Sequence, residues 1–108
     1  MDLHLHGKRV LITGASKGIG AAAAEVFAEE GCHLHLAARN GAALQAIAAR
    51  LSAAHGIEAA VHAVDLRQSA DIARLAAAAA DSDIVINNAG DIPAGRLEDV
   101  SEETWRHD

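Results

Sequence analysis

The sequence predicts an α/β fold: a doubly wound parallel sheet, of which the chain holds the first half in the strand order 3-2-1-4. Two observations carry this. Strand-like apolar runs alternate with helix-length alanine-rich segments along the whole chain, the signature of βαβ units and a parallel sheet. Between the first strand and the first helix stands Thr13-Gly14-Ala15-Ser16-Lys17-Gly18-Ile19-Gly20, a glycine turn of the Rossmann-like kind, spaced GxxxGxG rather than the commoner GxGxxG.

The elements follow in order. Lys8 to Thr13 is the first strand, built on Val10-Leu11-Ile12. Ile19 to Glu30 is a helix ended by Gly31, whose place just past the last turn suits the left-handed conformation. His33 to Ala37 forms the second strand, Gly41 to His55 the second helix, and Gly56 closes it. Glu58 to Val64 is the third strand and Ser69 to Ala80 the third helix. After the Asp81-Ser82-Asp83 turn, Ile84 to Asn87 makes a short buried strand. Ser101, followed by Glu102 and Glu103, reads as the N-cap and acidic first turn of a fourth helix. The first two helices are expected on one face and the third on the other. That leaves the second face thinly covered and the fourth strand at an open edge, so the sheet reads as incomplete and the chain as the N-terminal part of a longer protein.

Composition narrows the function classes. The chain is 51% hydrophobic and 22% charged, which fits one soluble domain. It has 27 alanines but only two aromatic residues, Phe27 and Trp105. At about 25 cal/mol per Å², alanines drive a core weakly. The formal charge of −6, with no basic cluster, argues against nucleic acid as a partner. No segment reads as a membrane helix, and the N-terminus lacks the apolar core of a signal peptide. Cys32 is the only cysteine, so no intrachain disulfide forms, and a cytoplasmic setting fits. Cys32 itself reads as a small buried residue. His4 and His6, and His33 and His35, form two His-x-His pairs, but no carboxylate set completes either one, so no metal site is expected. Trp105 is read as packing its helix on the sheet, and Arg96, Glu98 and Asp99 as a solvated face.

The glycine loop is where chemistry concentrates. A strand, a glycine turn and a helix in that order make a site for a dinucleotide pyrophosphate. Gly14 permits the turn, Gly18 and Gly20 allow close backbone approach, and Ile19 offers an N–H to phosphate. About 20 residues beyond the motif, an NAD-selective site places a carboxylate on the ribose 2′-hydroxyl. Here that region reads Leu36-Ala37-Ala38-Arg39-Asn40, with no acid. Arg39 suits a 2′-phosphate through paired N–H donors, Lys17 adds a second positive charge, and Ser16 a hydroxyl. NADP(H) is therefore favoured over NAD(H).

Three blocks together resemble the classical short-chain dehydrogenases/reductases: TGASKGIG at Thr13 to Gly20, Asp65 after the third strand, and Asn87-Asn88-Ala89-Gly90 after the fourth. The resemblance covers essentially the whole chain. It implies that Asp65, with Leu66 beside it, meets the adenine amino group, and that Asn88, Ala89 and Gly90 line the cofactor ribose while Asn87 braces the sheet. Asn40 joins Arg39 in the cofactor-binding set. It further implies hydride transfer between NADP(H) and a small carbonyl or alcohol substrate, and a homo-oligomer built through later regions. Members of the family are expected to catalyse with a downstream Ser, a Tyr-x-x-x-Lys pair and an Asn. This sequence has no tyrosine, its only lysines are Lys8 and Lys17, and no catalytic residue is carried over. The rival reading is a stand-alone, non-catalytic dinucleotide-binding or regulatory module.

Overall fold

A computed structural model describes residues 4–88, and in them the expected alternation is present. The elements are β1 (Arg9–Thr13), α1 (Gly18–Glu29), β2 (His33–Ala38), α2 (Gly41–His55), β3 (Ala59–Ala63), α3 (Ser69–Ala78) and β4 (Ile84–Asn87). The strands form one parallel sheet in the order β3-β2-β1-β4, as the right-handed crossover rule requires. Ala89, Gly90, Trp105 and the helix expected from Ser101 lie outside the described residues.

Alternation along each strand divides the core in two. Val10, Ile12, Leu34 and Leu36 point to the face covered by α1 and α2, where Ala24, Ala28, Leu44, Ala48 and Leu51 meet them. Leu11 and Ala37 point the other way, to Ile72, Leu75 and Ala79 of the α3 segment, closed off by Val64 and Leu66. The two-faced arrangement expected from the sequence therefore holds. Alanines decide the spacing on the first face: with Ala24 and Ala28 inward, α1 presents little more than backbone to the sheet. The two helices on this face are tied at the surface by Glu25, which accepts from Arg50 at 2.6 Å and pairs with His55 at 3.1 Å.

Boundaries differ from the expected ones by a residue or two. α1 begins at Gly18 and α3 ends at Ala78, two residues early. The reason at α3 is local: Ala79 leaves the helical conformation and its carbonyl turns to accept from Ser82 N–H at 3.1 Å. β3 is one residue shorter at each end than expected; at its start the Glu58 N–H is drawn to the His33 ring, 3.0 Å away. β2 gains Ala38, which pairs with Ala63. Gly31 and Gly56 take the expected positive φ, +85° and +69°. Cys32 is fully buried, and that burial, aided by Glu30 and Asp83, pushes its thiol above the usual range.

One chain of polar side chains links β2 to β3, β1 and the turn before β4. His35, 8% exposed, bonds through Nδ1 to His62 Nε2 at 2.9 Å and through Nε2 to Asp81 Oδ1 at 2.8 Å. Arg9 Nε lies 3.3 Å from the second Asp81 oxygen. Burial, reinforced by the neighbouring His35, holds the His62 ring below the ordinary histidine value, and Asp81 only partly offsets this. The unfolded chain therefore takes up a proton below about pH 6.5 that folded His62 resists, and stability falls as pH drops through that window. We expect the urea midpoint of the natively expressed protein to fall between about pH 7.5 and 5.5, and His62→Gln to flatten part of that slope. An identical slope in the variant would remove His62 from the account.

Candidate nucleotide-binding cleft

All four strands point their C-terminal ends to one edge of the sheet, and there the loops leave a cleft of about 700 Å³. Such edges, where the chain departs to opposite faces on either side of β1, are where open α/β sheets hold ligands. Its floor is the glycine loop: Gly14, Ser16, Lys17, Gly18 and Ile19 line it. One wall is Ala38, Arg39 and Asn40 from the end of β2, with Ala43 behind; the other is Val64, Asp65, Leu66 and Asn88. Eleven of the thirteen site residues named from the sequence fall among the described residues, and ten of these line the cleft. Gly20 is the eleventh and has a different role.

Gly20 is buried beneath the loop rather than on the cleft surface. A Cβ there would collide with the Gly14 carbonyl oxygen and come within 2.9 Å of Asn88 Nδ2. The first turn of α1 thus rests against the backbone of the β1 turn, which only glycine permits. Gly18 is the opposite case: φ is +61°, and a Cβ would meet nothing within 4 Å. Its missing side chain leaves open space on the cleft side. Lys17 is the N-cap and makes no side-chain cap bond. The first N–H groups of α1 consequently lack the acceptor that a capping side chain supplies, and the positive end of the helix meets the cleft.

Thr13 locks this floor to β4. Its buried hydroxyl donates to Asn87 Oδ1 at 2.9 Å and accepts the Asn88 N–H at 2.9 Å. The Asn88 amide donates in turn to the Gly14 carbonyl at 3.5 Å, at the long limit for such a bond. Asn87 therefore braces the sheet as the sequence suggested, and Asn88 supports the loop as well as lining the cleft. Sequence reasoning passed over Thr13. A threonine at a strand end facing two asparagines was the available signal. It also passed over Ala38, Ala43 and Val64, whose small or apolar side chains carry no chemical motif.

The charged groups sort cleanly. Lys17 and Arg39 are exposed on the cleft, and neither forms an ion pair among the described residues. Asn40 lines the cleft, but its Oδ1 accepts from Ala43 N–H at 3.0 Å and caps α2. Asp65 is already partnered: Arg67 Nε donates to Oδ1 and Nη2 to Oδ2, each at 3.0 Å. The Arg67 side chain first, then its backbone N–H, hold the Asp65 carboxyl down at about 2 against the opposing effect of burial, with further help from the charges of Arg67 and Arg39. The cleft residues fit a dinucleotide phosphate: an uncapped helix start, a glycine with space before it, and two unpaired cations. Among the described residues, no group of three or more His, Cys, Asp or Glu side chains could hold a metal ion, and no helix is long and apolar enough to cross a membrane.

Fold and cleft together define a Rossmann-type nucleotide-binding protein. A family profile described as short chain dehydrogenase matches residues 8–107, and the chain belongs to that family. It is 35% identical over 105 residues to a 3-oxoacyl-(acyl-carrier-protein) reductase of Chlamydia trachomatis, covering 94% of this chain and 42% of that protein. Against 2-keto-3-deoxy-L-fuconate dehydrogenase of Xanthomonas campestris the figures are 37%, 97% and 33%. Among solved structures, L-sorbose reductase from Gluconobacter frateurii, complexed with NADPH and L-sorbose, superposes with a TM-score of 0.86 at 28% identity, over 98% of this chain and 50% of that one. A short-chain dehydrogenase from Sphingobium yanoikuyae in complex with NADPH gives 0.70 at 36% identity, over 90% and 44%. The chain thus spans well under half the length of these two curated relatives.

The lock at Thr13 is testable. Thr13→Val keeps the shape but strands the Asn88 N–H and the Asn87 carbonyl, so urea unfolding should show a loss of about 1–3 kcal/mol. Unchanged stability would mean that the two bonds contribute nothing net.

Proposed function

We propose that this chain supplies the cofactor-binding part of an NADP(H)-dependent oxidoreductase. The complete protein would interconvert a small carbonyl compound and the corresponding alcohol. The observation that carries the cofactor preference is the pair of exposed cations, Lys17 and Arg39, on one cleft whose β2 wall holds no carboxylate. Two NADPH complexes among the similar structures support the same choice.

Each residue then has a task. The N–H groups at Gly18 and Ile19 bind the pyrophosphate at the start of α1, where no Cβ intervenes. The Arg39 guanidinium forks onto the 2′-phosphate, with Lys17 and the Ser16 hydroxyl beside it. Asp65 and Leu66 receive the adenine, and Asn88, with Ala89 and Gly90, the ribose. Gly14 and Gly20 keep the loop against the sheet, and Asn40 orients the Arg39 loop by capping α2. The bound dinucleotide supplies or accepts the hydride. No residue of this chain is assigned the proton transfer, since the sequence contains no tyrosine. Residues 1–108 form one cofactor-binding unit in this reading. The single, buried Cys32 suits a cytoplasmic, reducing setting, and the net charge of −6 suits a small-molecule partner rather than nucleic acid.

Equilibrium titration with NADPH and NADH tests the reading. Arg39→Ala should weaken NADPH more than NADH, by about 1–3 kcal/mol for a charge-assisted contact. Equal losses for both dinucleotides would sink the 2′-phosphate assignment. Gly18→Val should abolish binding of both, because its side chain fills the space that the phosphate needs; retained affinity would place the pyrophosphate elsewhere.

A further inference from the structure

Asp65 is the one carboxylate among the described residues lining the cleft, and a single neighbour holds both of its oxygens. Oδ1 accepts two N–H groups of Arg67, the backbone N–H and Nε, each at 3.0 Å. Among the described residues, Oδ2 accepts only Nη2, at 3.0 Å. A carboxylate oxygen has two acceptor sites, so Oδ1 is filled and Oδ2 keeps one. The backbone below is fixed too. Asp65 N–H donates to Asp71 Oδ2 at 2.7 Å, and Asp71 Oδ1 accepts from Arg74 at 3.1 Å. Arg67 is not among the residues lining the cleft, and its fork meets the cleft at Asp65.

We infer that Arg67 is a positioning residue for base recognition: its fork fixes the plane of the Asp65 carboxylate and leaves one acceptor site, on Oδ2, for the exocyclic amino group of an adenine. The inference rests on the reading that the cleft takes an adenine dinucleotide. A forked guanidinium sets the carboxylate's orientation as well as neutralising it. With that plane fixed before binding, the amino hydrogen bond costs no further ordering of the side chain. A base with a carbonyl oxygen at the same position brings an acceptor to an acceptor and is rejected. Charge alone does not achieve this, because an unforked carboxylate turns about its χ2 and loses the alignment.

The test measures base preference in the natively expressed protein by equilibrium titration with NADPH, NADH and the reduced hypoxanthine analogue of NADPH, which carries oxygen in place of the amino group. The native protein should prefer adenine over hypoxanthine by roughly tenfold or more. Asp65→Asn should erase that preference. Arg67→Ala and Arg67→Lys should each erase most of it while leaving the NADPH-to-NADH ratio unchanged, because that ratio reads the Arg39 end of the cleft. A general loss of folding would weaken all three dinucleotides by the same factor and move neither ratio. Full base preference in Arg67→Ala would overturn the positioning role and leave the cofactor site standing. Preference lost in Arg67→Ala but kept in Arg67→Lys would overturn the fork, since charge would then suffice. Failure of the native protein to bind any of the three dinucleotides would overturn the site reading and this inference with it.

Discussion

The contact between Gly20 and the Gly14 carbonyl is the constraint on which the rest depends. It holds the first turn of α1 against the end of β1, closer than any side chain allows. From that seat the helix axis, and so the direction of its unpaired N–H groups, is set relative to the sheet. The alanine face of α1 serves the same end further along, since Ala24 and Ala28 keep the helix close over its length. A larger residue at either position would tilt the helix and carry the cleft floor with it. The thin core that alanine richness implies is thus tied to the geometry of the site.

Much of this was legible in the sequence because it is local. Glycine spacing, strand length and helix length are read within a dozen residues, and they placed the loop, α1 and the β2 wall correctly. Arg39 and Lys17 are 22 positions apart, yet their meeting followed from parallel strands ending at one edge. What stayed hidden depends on partners far along the chain. The hydroxyl of Thr13 meets groups 74 and 75 residues away, and they come into view only when the ends of β1 and β4 are set side by side. His35 read as half of a His-x-His pair with His33, but its real partners, His62 and Asp81, come from another strand and from the turn after α3.

Asp65 lies between these cases. Its place at the cleft was read from the resemblance and the strand end, whereas its partner two residues on went unnoticed. Short-range pairs inside loops are easily passed over, because a loop has no periodicity to mark which side chains share a side. Its ionisation shows the cost of the omission: a carboxylate this firmly held keeps its charge at pH values where a free aspartate begins to protonate.

The Thr13 lock also sets an order on assembly. Between residue 13 and residue 88 the chain runs through α1, β2, α2, β3 and α3 and covers both faces of the sheet. Closing so long a loop is entropically slow compared with forming the β1-α1-β2 unit. A partly folded chain can therefore own the glycine loop and a well-formed α1 while lacking the wall that Asn88 completes. A nucleotide that needs the Asn88 wall would on this ground favour molecules whose crossover through α3 is finished.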